Sequence, residues 1–133
     1  MSQPADAGAG SVSKVSCTLQ VRGKGQGKLV FYRHMAPLTV NALLRVLPLE
    51  SRVNIQSAMV SLFTQVRVGA EKPRATLERG EVAFLPSGAL LCIFLKNASS
   101  DRPLNPVGKV EEGIDLLDGL RAGDSLRIEQ NRT

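Results

Sequence analysis

The amino-acid sequence predicts a mainly β protein, a small closed β-barrel with one amphipathic helix over about residues 37–47 and a short helical turn over about 114–120. Three observations carry this prediction. Short apolar runs of strand length recur between turn residues. A single long segment has helical spacing, with Val40, Leu43, Leu44 and Leu47 on one stripe. The 133 residues are 43% hydrophobic and show no internal repeat, which suits one domain whose core needs no disulfide staples.

The elements follow in order. Residues 1–13, rich in Ala, Gly and Ser, are expected to form a disordered tail, and residues 14–133 the domain. Residues 15–22 alternate apolar and polar side chains, and residues 28–33 continue beyond Gly23-Lys24-Gly25-Gln26-Gly27, so the pair reads as a β-hairpin. Pro37 opens the helix, because its fixed φ and missing N–H suit a first turn, and Pro48 stops it. Strands are predicted over 52–55 and 58–68, the latter carrying Met59, Leu62, Phe63 and Val66, before a loop containing Pro73. Residues 81–85 read as a strand and Pro86-Ser87-Gly88 as a turn. The nearly all-apolar run 89–95 reads as a strand buried on both faces. Residues 96–106 have the composition of a loop, 107–110 of a strand and 125–129 of a final strand.

Charge and reactive residues narrow the function. The net charge is +5, and all of the excess lies in residues 1–66. Arg22, Lys24, Lys28 and Arg33, around the glycine turn, form a candidate anion patch able to make non-specific phosphate contacts, or else a solvated turn. With no Trp, one Tyr and four Phe, the chain lacks the stacking aromatics of nucleic-acid modules, and nucleic acid is not expected as a partner. The alternating glycines match neither a dinucleotide fingerprint nor a P-loop, and no cofactor is expected.

Cys17 and Cys92 sit in apolar strand-like runs and read as buried thiols. His34 is the sole histidine and reads as a surface residue, so no metal site is expected. Glu111-Glu112 and the pair Glu78 and Glu81 read as solvated carboxylates. No stretch approaches a membrane span and the first residues lack the apolar core of a signal peptide, so a cytoplasmic location is expected.

Two runs point to a family. Ala36-Pro37-Leu38-Thr39-Val40-Asn41-Ala42-Leu43-Leu44 resembles the "PKT-x-x-N-F" start of the first cyclophilin helix. Val107-Gly108-Lys109-Val110-Glu111-Glu112-Gly113-Ile114-Asp115-Leu116-Leu117 resembles the cyclophilin "FGKVVEGMDVV" strand, turn and helix, and residues 80–94 resemble the segment ending "SQFFI". Over residues 15–130 the chain is similar to the compact cyclophilin-like domains of unknown function in archaea and bacteria. Pro48-Leu49-Glu50-Ser51-Arg52-Val53-Asn54 stands for their "P-F-E-S-x-V-N" and Asn105-Pro106-Val107-Gly108-Lys109 for their "N-V-I-G-K". Departures accompany the likeness. Ile55-Gln56-Ser57-Ala58-Met59 replaces a Trp-Gly-acidic segment, and Leu85 replaces the Trp before Pro86.

The resemblance implies a binding module for a proline-containing peptide or a small ligand. Its groove is expected at Asn54, Gln56, Met59, Phe63 and Phe84, near Arg52, although Met59, Phe63 and Phe84 by themselves read as core. The alternative it implies is a weak peptidyl-prolyl cis-trans isomerase. Arg52-Val53 aligns with "FHRVI", so Arg52 is the one catalytic residue carried over, while "F-M-x-Q" becomes Ser57-Ala58-Met59-Val60 and residues 101–104 lack the expected Trp and His. A third expectation is an anion or RNA-binding accessory protein acting through Arg22, Lys24, Lys28 and Arg33.

Overall fold

A computed structural model describes residues 13–131 except Ser57; nearly all of the expected tail, residues 1–12, lies outside the described residues. Among the described residues, ten strands and two helices follow one another as β1 (Lys14–Val21), β2 (Gly25–Tyr32), α1 (Pro37–Arg45), β3 (Leu49–Arg52), β4 (Asn54–Gln56), β5 (Met59–Phe63), β6 (Arg74–Leu77), β7 (Glu81–Leu85), β8 (Leu90–Phe94), β9 (Ala98–Glu112), α2 (Ile114–Asp118) and β10 (Ser125–Gln130). Nine of the strands form one antiparallel path, β3-β10-β1-β2-β9-β7-β8-β5-β4, and β6 pairs with β9 beside it. Among the described residues, no helix is long and apolar enough to cross a membrane.

Alternation builds the interior. Val15, Cys17, Leu19 and Val21 of β1 point inward and join Leu29, Phe31, Val60, Leu62, Val82, Phe84, Leu91, Ile93, Leu126 and Ile128 in the main core. The helices cover it with Val40, Leu43 and Leu117. The other face of β7 and β8 carries Ala83, Leu85, Cys92 and Phe94, and a second, smaller core forms where Leu77 of β6 and Leu104 of β9 fold over them. The run in β8 is thus buried on both faces, as its lack of alternation implies.

The expected closed barrel takes another form. The edge strands β3 and β4 do not pair with each other, so the sheet is not closed by hydrogen bonds. Val53 alone separates them in the chain, so a single bent strand serves both edges. Val53 is buried; its N–H donates to Asp124 O at 2.9 Å and its carbonyl accepts from Gly123 N–H at 3.0 Å. Covalent continuity brings the edges together where no ladder does.

Three further expectations are corrected. In place of the loop expected over 96–106, β9 begins at Ala98 and its first half pairs with β6, Leu77 opposite Ala98 and Arg74 opposite Leu104. Ala98 and Leu104 have an apolar face to cover, and Pro103 and Pro106 fall beside register shifts, where a missing N–H disturbs little. The strand expected over 58–68 stops at Phe63, since the Thr64 hydroxyl donates to Ala89 O at 2.9 Å and Gln65 turns to a positive φ of 66°. The hairpin turn is also shorter than its glycines suggest, because β2 begins at Gly25.

Helix α1 has no cap from its own N-cap residue, Ala36. Glu71, from the loop after β5, takes that role. Its carboxylate accepts from Leu38 N–H at 3.0 Å, from Thr39 N–H at 2.9 Å and from the Thr39 hydroxyl at 2.8 Å. Partial burial would raise this carboxyl, but the three hydrogen bonds outweigh it and hold Glu71 below the usual range. A lowered folded value stabilises the protein above the ordinary carboxyl value of about 4.3, and the contribution is lost as pH falls through the lower folded value. Glu71→Gln is therefore expected to cost about 1 kcal/mol at pH 7, with a smaller difference from the parent at pH 3, in urea unfolding at both pH values.

Candidate outer-face binding site

The outward faces of β4, β5, β7 and β8 carry a continuous row of side chains. In an antiparallel ladder, partners share a face. Gln56 opposes Met59, which opposes Phe94; Asn54 opposes Ser61, which opposes Cys92; Phe63 opposes Leu90. All lie opposite in sense to Val60 and Leu62, which enter the main core. Arg52 continues the outward row on β3, two residues before Asn54, and is exposed like Asn54 and Gln56.

Where this face meets the start of β9, a cavity of about 210 Å³ opens. Met59, Leu85, Phe94 and Leu104 supply its apolar wall, and Ala58 and Ala98 keep it open. Gln56, Ser99, Ser100, Asp101 and Arg102 supply polar groups. The rim is held by short local bonds: the Ser100 hydroxyl donates to Arg102 O at 2.9 Å and accepts from Arg102 N–H at 3.1 Å, while Arg102 Nη1 donates to Ser87 Oγ at 3.4 Å. Such an arrangement suits an apolar group with polar ends.

The residues expected to form the groove separate into three sets. Gln56 and Met59 line the cavity. Asn54 and Phe63 share its face without lining it; Phe63 is 50% exposed, a large ring left in solvent beside β4. Phe84 points the other way and is fully buried in the main core. Arg52 is outward-facing, opposite Ser125 of β10, and does not line the cavity. Ser99, Ser100, Asp101, Arg102 and Leu104 were missed, because their composition reads as loop. The signal was the departure at residues 101–104 from the cyclophilin pattern.

The four residues expected to form an anion patch do not sit together. Lys24 Nζ donates to Gly119 O at 2.9 Å and lies 3.7 Å from Asp124. Lys28 pairs with Glu111 at 3.6 Å, and Arg33 follows the far end of β2 and donates to Asn41 Oδ1 at 3.2 Å. Arg22 lines a different cavity, with Gln20 and Gly23. His34 is exposed, its ring 5.8 Å from that of Tyr32. Cys17 and Cys92 are buried free thiols, and burial pushes each up to about 12.

A family model described as cyclophilin-like matches residues 18–129. Among solved structures, the fold is similar to the solution structure of the hypothetical protein AF2241 from Archaeoglobus fulgidus, with a TM-score of 0.73 and 24% identity over 90% of this chain and 96% of that one. It is also similar to McbB, solved in complex with tryptophan, with a TM-score of 0.73 and 17% identity over 88% of this chain. This chain spans 45% of McbB. No curated protein matches the chain. At these identities the solved structures show a shared fold.

Proposed function

This chain belongs to the cyclophilin-like family, and from that premise we propose that its outer-face cavity binds an extended peptide segment, seating one apolar side chain such as proline. The carrying observation is the cavity itself, apolar at Met59, Leu85, Phe94 and Leu104 and polar at Gln56, Ser99 and Arg102, opening beside the edge strand β4. Its volume of about 210 Å³ is below the roughly 300–1,000 Å³ of sites that enclose whole small molecules, which favours a single side chain. All three residues of β4 are exposed at a sheet edge, where main-chain groups can pair with an extended segment.

Binding is favoured over catalysis by the place of Arg52. It lies on β3, across the bend at Val53 from Gln56 of β4, and is not among the residues that line the cavity. The experiment is an NMR titration of the labelled protein with short Ala-Pro peptides, and with free tryptophan as a second probe. Amide shifts are expected at Gln56, Ala58, Met59 and residues 98–102, and Met59→Lys is expected to weaken peptide binding about tenfold or more by burying a charge in the apolar wall. Shifts elsewhere, or none, would remove this reading. Accelerated cis/trans exchange that disappears in Arg52→Ala would instead establish the isomerase.

A further inference from the structure

Strand register assembles a second site from charges far apart in the sequence. At the β1–β10–β3 end of the sheet, Arg22 N–H donates to Ser125 O at 3.3 Å, and Ser125 opposes Arg52 on β3. In the next outward row Gln20 opposes Arg127, which opposes Glu50. The intervening Val21 and Leu126 are buried, so alternation turns these polar residues outward together. Direct partners stand about 5 Å apart and diagonal ones about 7–8 Å, within reach of arginine side chains. Arg22 and Arg127 therefore line the space above Ser125, and Arg52 flanks it across the β10–β3 register.

A cavity of about 270 Å³ opens there, lined by Gln20, Arg22, Gly23, Glu50, Ser125 and Arg127, with Arg52 flanking it by register. Gly23 faces open space, which leaves the mouth clear. Arg127 is held by Glu50 at 3.4 Å and by Glu129 at 3.6 Å. Among the described residues no carboxylate pairs with Arg22 or Arg52. Arg22 and Arg52 stand on either side of Ser125, and an anion seated between them would balance both charges.

We propose that this cavity binds a terminal phosphate group, through Arg22, Arg52 and Arg127 with the Ser125 hydroxyl as a further donor. Phosphate fits the arrangement better than a carboxylate. Its two charges match the two unpaired arginines, and its terminal oxygens can accept from several planar guanidinium forks at once. Glu50 steadies Arg127 without neutralising the other two. The cluster has no stacking aromatic in its lining, so a small phosphate compound is favoured over a nucleic-acid strand.

The test is a titration of the labelled protein with inorganic phosphate and with glycerol phosphate at constant ionic strength, reading the Nε–H signals of Arg22, Arg52 and Arg127 and the Ser125 amide. Saturable shifts at these four groups are expected, and Arg22→Gln should weaken binding about tenfold at an unchanged melting temperature. Tighter binding of glycerol phosphate identifies a phosphate ester as the ligand class, and equal binding identifies free phosphate. Shifts that do not saturate, or saturation unaltered in Arg22→Gln, would overturn the proposal. So would saturation by a short oligonucleotide alone.

Discussion

Gly108→Ala is expected to destabilise the fold severely. A Cβ at Gly108 would lie 1.9 Å from Val30 O, 2.9 Å from Val30 C and 3.1 Å from Phe31 Cα, all of them backbone atoms of the neighbouring strand β2. No side-chain rotation relieves such a contact. The strands must part at Phe31 opposite Gly108, the end pair of the ladder that joins the β1–β2 hairpin to β9 and the strands beyond it. Gly27 meets the same strand pair from the other side, where a Cβ would lie 2.2 Å from Glu112 O. The expected cost of Gly108→Ala is about 3–5 kcal/mol, a large part of the roughly 5–15 kcal/mol that holds a domain folded. Urea unfolding measures it, with Gly69→Ala as the control, since nothing lies within 4 Å of a Cβ there. Equal midpoints for the two variants would contradict the account.

Asn105→Leu is expected to lower stability by about 2–4 kcal/mol and the melting temperature by about 10 °C. Asn105 is fully buried, and its amide makes three bonds: Oδ1 accepts from Glu71 N–H at 2.7 Å, and Nδ2 donates to Thr39 Oγ1 at 3.0 Å and to Gly69 O at 2.9 Å. Leucine has similar bulk and removes all three bonds, leaving the Thr39 hydroxyl only its bond to Glu71. The damage should reach α1, because Glu71 is both held by Asn105 and the helix cap. Hydrogen exchange at Val40 N–H, bonded to Ala36 O at 2.8 Å, should accelerate more than exchange in β8. A variant as stable as the parent would show that the network contributes nothing net.

Much of the fold was legible because it rests on local pattern. The alternation of β1, the Pro37 start of α1 and the unbroken apolar run of β8 each follow from residues near one another in the chain. The glycines of the first turn and of Val107-Gly108-Lys109 were visible as motifs, but their reason was not. Gly27 and Gly108 are required by close approach of β2 and β9, a contact between segments about 80 residues apart that no local pattern encodes. The cap on α1 from Glu71 was hidden for the same reason.

The candidate site was half legible. Gln56 and Met59 could be named from their place near Arg52, and strand parity puts them on one face with Asn54 and Phe63. Phe84 was read one face wrong, since a short apolar strand buried on both sides gives no sign of which residues point inward. The rim at residues 99–102 was hidden by its polar, proline-flanked composition, which describes a solvent-facing flap as well as it describes a loop. The arginine cluster around Ser125 depends wholly on register between β1, β10 and β3.

The central claim is that the outer-face cavity receives a side chain from a peptide. Intermolecular NOEs between a bound Ala-Pro peptide and selectively labelled methyl groups test it most directly. The account predicts contacts from the proline ring to the Met59, Leu85 and Leu104 methyls, which wall the cavity together. Contacts confined to methyls elsewhere on the surface, such as Leu38 or Val46, or no contacts at saturating peptide, would contradict it.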